Sequence, residues 1–185
     1  MNSPGSNKVP GLTLPKLTLV LGGAASGKSR FAEGLVTGSG RAPVYIATAQ
    51  VWDDEMAAKV AAHKADRGAG WLTIEEPIDI ARALAGTSQS QAVLLDCATL
   101  WLTNIILSDA DLAAAEATLF QALAICLAPV VIVSNEVGQG IVPDNALARR
   151  FRNAQGALNQ RIAAQAGLVV MVAAGLPLVL KGALP

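Results

Sequence analysis

Five short segments of the chain are almost wholly apolar, and they recur along its length with longer amphipathic stretches between them. Strands buried on both faces have this composition, whereas strands with one solvent face alternate apolar and polar residues. Because helical crossovers connect parallel strands, the alternation predicts one α/β domain with a mostly parallel, doubly wound sheet and helices on both faces. The predicted strands are residues 17–21, 43–47, 92–95, 129–133 and 168–172.

The stretches between these strands have helical spacing. They predict helices at residues 29–36, 53–67, 78–84, 100–126 and 146–166. Nothing between residues 17 and 185 resembles a linker, and 185 residues suit one domain. We therefore predict a flexible N-terminal extension over residues 1–16 and a single domain over residues 17–185.

Composition excludes several classes of protein. A chain that is 52% hydrophobic and 15% charged is not disordered. Lys and Arg together number 14, as do Asp and Glu, so no charge excess suggests a nucleic acid or an anionic membrane as partner.

The longest charge-free apolar stretch, residues 167–180, is shorter than the roughly 20 residues of a membrane span, so we expect a buried strand there. No secretory signal is visible at the N-terminus. Cys97 and Cys126 lie in apolar runs, which is typical of buried reduced thiols. We expect a cytoplasmic protein without a membrane span.

A glycine-rich segment follows the first predicted strand directly and matches the pattern G-x-x-x-x-G-K-[ST] in full. Glycines let such a loop curl so that backbone N–H groups point at phosphate oxygens. The lysine then reaches the β- and γ-phosphates, and the terminal hydroxyl ligates Mg²⁺. The segment predicts a P-loop NTPase-like domain that binds a nucleoside triphosphate. Its residues are Gly22, Gly23, Ala24, Ala25, Ser26, Gly27, Lys28 and Ser29.

Asp96 directly follows the third predicted strand. A carboxylate at that position is placed to hold Mg²⁺ directly or through water, together with Ser29. An acidic residue after an apolar strand is also common for structural reasons, and this alternative stays open.

The single histidine, His63, lies in the predicted helix 53–67 with Arg67 one turn further on and Lys64 beside it. Neighbouring cations favour the neutral imidazole, which is a nucleophile, and the same cations can hold phosphates. The spacing alone favours the other interpretation, a histidine in a solvated basic patch on a helix surface.

Eight segments of the chain, taken in order, form a recognisable set. They are GGAASGKSRFAE, YIATAQ, DDEMAAKVAAHKADR, WLTIEEP, LLDCATLWLTN, VSNEVGQGIVP, ARRFRNAQGALNQRIAAQA and VVMVAAGLPLVLK. Together they closely resemble one family, the bifunctional adenosylcobinamide kinase / adenosylcobinamide-phosphate guanylyltransferases of cobalamin biosynthesis. The resemblance covers about residues 17–181. The histidine segment, the LLDC…W segment and SNEVG-x-GIVP are more specific than the phosphate loop.

The resemblance implies two reactions and their substrates. In the first, ATP or GTP phosphorylates adenosylcobinamide. In the second, GMP passes from GTP to adenosylcobinamide phosphate through a GMP–histidine intermediate whose histidine corresponds to His63. Lys28 is the matching loop lysine. The family also implies a homotrimer with the nucleotide site near a subunit boundary.

The resemblance further implies which residues contact the nucleotide. Asp96 is among them, so this carboxylate could serve the guanosine rather than the metal. Besides the phosphate loop, the matching positions are Ala47, Thr48, Ala49, Lys64, Ala65, Asp66, Arg67, Glu75 and Asp96.

One position departs from the family pattern. The fourth loop residue is often arginine in family members and is Ala25 here. Because a guanidinium beside the triphosphate stabilises charge in phosphoryl transfer, we expect its loss to affect the kinase step or nucleotide affinity more than attack on the α-phosphorus.

Several residues admit both a functional and a structural interpretation. Asn135 and Glu136 follow the fourth predicted strand and either contact the corrinoid or a neighbouring subunit, or form a structural turn. We interpret the cluster of Arg149, Arg150 and Arg152 as a charged helix face. We interpret Trp71 and Trp101 as anchors in the core or at an interface. A simpler small-molecule kinase and a nucleotide-dependent regulatory module are the alternative functions.

Overall fold

The computed structural model describes residues 11–50 and 70–185. The described residues form seven strands and five helices. The strands are β1 (Leu17–Gly22), β2 (Ala42–Ala47), β3 (Leu72–Glu75), β4 (Gln91–Asp96), β5 (Val130–Asn135), β6 (Leu168–Ala173) and β7 (Leu176–Lys181). The helices are α1 (Lys28–Gly38), α2 (Ile80–Ala85), α3 (Ala98–Leu107), α4 (Leu112–Ile125) and α5 (Ala146–Gln165).

All seven strands form one sheet in the order β3-β2-β4-β5-β1-β6-β7. Every pairing is parallel except that of β6 with β7, which is antiparallel. The predicted fold class is confirmed, and so are the five predicted strands, each within a residue or two at its ends.

Two apolar layers lie on opposite faces of the sheet, because successive side chains of a strand point to opposite sides. On one face Leu19 and its neighbours pack with residues of α2, α3, α4 and α5. On the other face Val20 packs with Ala32, Leu35 and Val36 of α1. Burial on both faces explains why the strands are apolar throughout rather than alternating.

The prediction of one helix over residues 100–126 is wrong, because the chain turns between α3 and α4. Asp109 adopts a positive φ of 54°, which a helix cannot accommodate. The Asp111 side chain then caps α4 by accepting hydrogen bonds from the N–H groups of Ala113 and Ala114, at 2.9 and 3.2 Å. An aspartate is a common N-cap and Asp111 is visible in the sequence, but the apolar residues around it suggested one continuous helix.

The C-terminal apolar stretch is also different from the prediction, since residues 167–180 form a hairpin rather than one buried strand. Ala174 and Gly175 both have positive φ, 52° and 78°, as a tight two-residue hairpin turn requires. All six residues of β7 are exposed at the edge of the sheet. The short strand β3, at the opposite edge, was not predicted.

The predicted helix 53–67 lies outside the described residues. Of the predicted extension, residues 11–16 are described and contact the domain: Leu12 N–H donates to Gly38 O, and Val130 N–H donates to Lys16 O. Within the described part of the chain, no helix has both the length and the apolar character needed to cross a bilayer.

Candidate nucleotide site at the carboxyl edge of the sheet

The phosphate loop, residues 22–29, connects the end of β1 to the start of α1. The Ser26 N–H donates to Gly23 O at 3.4 Å, and Lys28 Nζ donates to the same carbonyl at 3.1 Å. Gly27 adopts a φ of 91°, a conformation that residues with a Cβ rarely take. The loop therefore curls back on itself, as its glycines predict.

The N-terminus of α1 faces this loop without a side-chain cap. Asp79, Asp111 and Asn145 cap α2, α4 and α5 with their side chains, whereas α3, with Cys97 at its N-cap, also has no side-chain cap. The first N–H groups of a helix carry partial positive charge and need acceptors. Since Gly27 offers no side-chain acceptor, the first turn of α1 is suited to an anion such as a phosphate.

The turn between β6 and β7 holds the phosphate loop from the other side. Gly175 N–H donates to Ser26 O at 2.8 Å. A Cβ added to Gly27 would lie 3.1 Å from Gly175 Cα, so the two backbones meet closely. Sequence reasoning missed this contact because the turn is remote in sequence from the loop.

Asp96 ends β4 at the same edge of the sheet, in register with Ala47 of β2. Tyr45 Oη donates to Asp96 Oδ2 at 3.2 Å, and the Tyr45 ring packs edge-on against Trp71 with centroids 6.2 Å apart. The sequence assigned Tyr45 only to a buried strand; in the structure it also orients the candidate carboxylate.

Lys28 lies close enough to the end of β4 to act electrostatically on Cys97. Burial raises the pKa of the Cys97 thiol to about 11, and the Asp96 carboxylate acts in the same direction. The Lys28 ammonium opposes both by favouring the thiolate. The loop lysine and Asp96 thus belong to one charged region. Both cysteines are buried and free, as predicted.

Thr48 joins the ends of β2 and β4. Its hydroxyl donates to Cys97 O at 2.8 Å and accepts from Cys97 N–H at 2.7 Å, while its own N–H donates to Asp96 O at 3.2 Å. Asn104 Nδ2 of α3 donates to Thr48 O at 2.8 Å and to Pro77 O at 3.0 Å. Thr48 therefore holds the carboxyl ends of β2 and β4 together. The predicted contacts of Thr48 and of the half-buried Ala49 with a nucleotide stay predictions.

Asn104 could have been found in the sequence. It lies three residues after Trp101 on the buried side of a mostly apolar helix, where an amide needs partners. Trp101 is itself 2% exposed and donates from Nε1 to Ile78 O at 2.9 Å, so its interpretation as a packing anchor is confirmed.

Glu75 and Glu76 follow one another at the end of β3 but have different surroundings. Glu75 is exposed and in register with Ala47, which leaves it free to project from the edge of the sheet. Glu76 is buried and accepts hydrogen bonds from the N–H groups of Ile78 and Asp79 and from Arg82. Glu76, which sequence reasoning did not single out, anchors the start of α2.

The end of β5 lies directly beside the phosphate loop, because Asn135 pairs with Gly22 and Glu136 N–H donates to Gly22 O at 3.1 Å. The Glu136 carboxylate accepts from Gly138 N–H in the loop that follows. In that loop Ile141 is 97% exposed. Asn135 and Glu136 are therefore brought to the site, as their position after a strand suggested.

The three arginines near the start of α5 have different surroundings. Arg149 donates from Nη1 to Pro143 O and Asp144 O, at 3.0 and 2.7 Å, and so holds the loop that precedes α5. Arg150 is exposed and Arg152 half-buried on the same helix. These observations agree with a charged helix face.

The described residues thus bring the phosphate loop, Ala47, Glu75 and Asp96 to one edge. Ser29 and Asp96, both half-buried, offer oxygen donors there. No group of three or more His, Cys, Asp or Glu side chains that could hold a metal occurs in the described part of the chain. The predicted site residues His63, Lys64, Ala65, Asp66 and Arg67 lie outside the described residues.

Comparison with known proteins gives a family match over nearly the whole domain. Residues 18–180 match the family described as cobinamide kinase / cobinamide phosphate guanyltransferase. The chain is 45% identical to the bifunctional adenosylcobalamin biosynthesis protein CobP of Pseudomonas aeruginosa, over 89% of this chain and 96% of that protein. It is 42% identical to the corresponding CobU of Salmonella typhimurium, over 89% of this chain and 99% of that one.

Solved structures resemble the chain in fold. The RadB recombinase superposes with a TM-score of 0.51 at 17% identity, covering 85% of this chain and 74% of that one. The flagellar accessory protein FlaH of Methanocaldococcus jannaschii superposes with a TM-score of 0.50 at 14% identity, covering 91% and 80%. At these identities the likeness shows the α/β fold alone and nothing about activity.

Proposed function

Because the chain belongs to the cobinamide kinase / cobinamide phosphate guanyltransferase family, we propose that it phosphorylates adenosylcobinamide with ATP or GTP and then transfers GMP from GTP to the resulting phosphate. It is an enzyme of this bifunctional class in cobalamin biosynthesis. The observation that carries the detailed proposal is the curled phosphate loop, at which Lys28 and the end of α1, without a side-chain cap, lie together.

In the kinase step the aminopropanol hydroxyl oxygen of adenosylcobinamide attacks the γ-phosphorus. An O–P bond forms, the bond from the γ-phosphorus to the bridging oxygen breaks, and the nucleoside diphosphate leaves while the hydroxyl proton passes to solvent. The first turn of α1 and Lys28 hold the phosphates and offset the charge on the departing oxygen.

In the guanylyltransferase step an imidazole nitrogen of His63 attacks the α-phosphorus of GTP and pyrophosphate leaves. A phosphate oxygen of adenosylcobinamide phosphate then attacks the same phosphorus, the P–N bond breaks, and adenosylcobinamide-GDP is released with His63 regenerated. This part rests on the resemblance of the histidine segment, supported by Lys64 and Arg67 nearby in sequence.

We propose Mg²⁺ as the resident metal, held by the Ser29 hydroxyl and by Asp96, either directly or through water. The donor set fits, because Mg²⁺ takes one or two protein oxygens and completes its shell with phosphate and water. When bound, the ion neutralises charge on the phosphate oxygens. Tyr45 orients the Asp96 carboxylate for this role.

Covalent labelling tests the guanylyltransferase proposal. Wild type and His63→Ala are incubated with Mg²⁺ and GTP labelled on the α-phosphate, with γ-labelled GTP as control. A phosphoramidate survives alkali and breaks in acid. We expect acid-labile α-label on wild type alone. Binding of GTP without label on either protein would contradict the intermediate and leave a simple kinase or a nucleotide-binding module.

We also propose a homotrimer with a subunit boundary near the nucleotide site, as the family resemblance implies. The support is β7, an edge strand whose leucines at 176, 178 and 180 are 72%, 61% and 56% exposed. An exposed apolar edge strand favours burial against another chain. Since the β6–β7 turn contacts Ser26, a subunit on β7 would border the phosphate loop.

Sedimentation equilibrium tests this surface with a matched pair of variants. Leu178 in β7 and Leu107 at the end of α3 are both 61% exposed. We expect Leu178→Lys to shift the protein from trimer to monomer and Leu107→Lys to leave the trimer intact. Equal behaviour of the two variants would remove β7 from the interface.

A further inference from the structure

Asn135 lies between the phosphate loop and Asp96 at the carboxyl edge of the sheet. Its strand, β5, lies between β1, which leads into the loop, and β4, which ends at Asp96. Asn135 pairs with Gly22, the first loop residue, while Asp96 pairs with Val133 two residues earlier on β5. Asn135 therefore lies at the carboxyl edge of the sheet, on the strand between the phosphate loop and Asp96.

The backbone of Asn135 is held on both sides by buried polar groups. Its N–H donates to Thr99 Oγ1 at 2.8 Å, and its carbonyl accepts from Asn159 Nδ2 at 3.1 Å. Asn159 Oδ1 in turn accepts from Ser134 Oγ at 2.6 Å and from Gln155 Nε2 at 2.9 Å. Ser134 and Gln155 are fully buried. This network fixes where the Asn135 side chain begins, as a substrate-contacting residue requires.

The side-chain amide of Asn135, by contrast, takes no part in that network. Its Oδ1 is buried and makes no hydrogen bond to any described residue. The residue as a whole is only partly buried. A phosphate oxygen cannot satisfy Oδ1, because both atoms are acceptors. The donor Nδ2 also makes no hydrogen bond to a described residue and, unlike Oδ1, is not buried, so it is the atom of this amide that a ligand can reach.

We propose that the Asn135 side-chain amide donates a hydrogen bond from Nδ2 to the terminal phosphate of the bound nucleoside triphosphate. The loop N–H groups surround the inner phosphates and the lysine reaches outward to the β- and γ-phosphates. Asp96 ends β4, and β5 lies between β4 and β1, so outer phosphates that extend from the loop toward Asp96 pass the end of β5. Asn135 lies on that path. The inference rests on the proposed nucleotide site.

Comparing triphosphate with diphosphate binding separates this role from a structural one. Dissociation constants for GDP and for GTP, the latter as an analogue whose non-hydrolysable α–β bridge prevents transfer of GMP to His63, are measured with Mg²⁺ for wild type, Asn135→Ala and Asn135→Asp. We expect GTP binding to weaken about ten- to a hundredfold in Asn135→Ala, as for a lost charge-assisted hydrogen bond, and GDP binding to change less than about twofold. Asn135→Asp, which keeps the shape but replaces the donor with a charge, should weaken GTP binding further.

An exposed amide on α5 provides the matched control, since Asn153→Ala removes the same group away from the crevice. It should leave both constants unchanged. Equal weakening of GTP and GDP in the Asn135 variants, or no weakening of either, would overturn the proposal. If wild type itself bound neither nucleotide, the proposed nucleotide site would fail instead, which is a different result. A thermal melt of each variant confirms that the near-isosteric Asn135→Asp is folded.

Discussion

The backbone N–H of Gly175 donates to the backbone carbonyl of Ser26 over 2.8 Å, and this bond joins the β6–β7 turn to the phosphate loop. Gly175 has a φ of 78° and its neighbour Ala174 a φ of 52°. The N–H points at the loop only while the turn keeps this left-handed geometry. The conformation of the loop therefore depends on a hairpin at the C-terminal end of the domain.

Replacing Gly175 with a β-branched residue should weaken nucleotide binding. Gly175→Val penalises the positive φ by roughly 1–2 kcal/mol, and the turn can relieve that strain by releasing Ser26. We expect the affinity for a fluorescent GTP analogue to fall by up to about tenfold. Gly175→Asn tolerates positive φ and should stay near wild type. Similar affinities for the Val and Asn variants would contradict the coupling.

Restoring a guanidinium in the phosphate loop should strengthen the kinase step. Ala25 is exposed in the loop, so Ala25→Arg introduces a long side chain without disturbing the core. Charge stabilisation at the γ-phosphate should raise kcat/KM for phosphorylation several-fold. Formation of the α-phosphate label should change little, because the α-phosphorus is separated from the γ-phosphate by the β-phosphate. Ala25→Gln, which is long but uncharged, is the control; an equal gain with Gln would exclude a charge effect.

Glu76 should contribute to stability in a pH-dependent way. Burial acts to raise the pKa of its carboxyl, but hydrogen bonds from Asp79 N–H, Arg82 and Ile78 N–H outweigh burial, and the pKa lies below its ordinary value of 4.5. A carboxyl with a lowered folded-state pKa stabilises the protein fully above 4.5 and loses that contribution as pH falls through the folded pKa.

Urea unfolding of Glu76→Gln checks this expectation. The variant should be less stable than wild type by about 1–2 kcal/mol at pH 7. The difference should shrink as pH falls below 4.5, where the wild-type carboxyl is itself protonated. Glu75→Gln, at the exposed neighbouring position, is the matched control and should leave the free energy of unfolding at pH 7 close to that of wild type. A gap for Glu76→Gln that persists unchanged at low pH would rule out the ionised form as the source of stability.

Cys97 should be unreactive in the folded protein. Burial raises the pKa of its thiol to about 11, so the nucleophilic thiolate is scarce at pH 8, and the side chain is also shielded from reagents. We expect neither Cys97 nor Cys126 to react with iodoacetamide within minutes at pH 8. Both should react after unfolding in guanidinium. Rapid labelling of Cys97 in the native protein would show that the end of β4 opens.

Much of the fold could be predicted because its signals are local. Apolar runs gave five of the strands, and the spacing of Gly22, Gly27 and Lys28 placed the phosphate loop between a strand and a helix. The break between α3 and α4 also has a local signal, the aspartates Asp109 and Asp111. The apolar residues on both sides nevertheless suggested one continuous helix, so the cap was missed. The weakly apolar β3 became a strand only by pairing with β2.

By itself, then, the sequence determined the α/β class, the phosphate loop and the family to which the chain belongs. Only the tertiary structure decided what surrounds that loop. Tyr45 against Asp96, Asn135 beside Gly22 and Gly175 on Ser26 are contacts between residues far apart in the chain. Such contacts depend on strand order and register, which no local pattern encodes, because they result from how all the strands together bury their side chains.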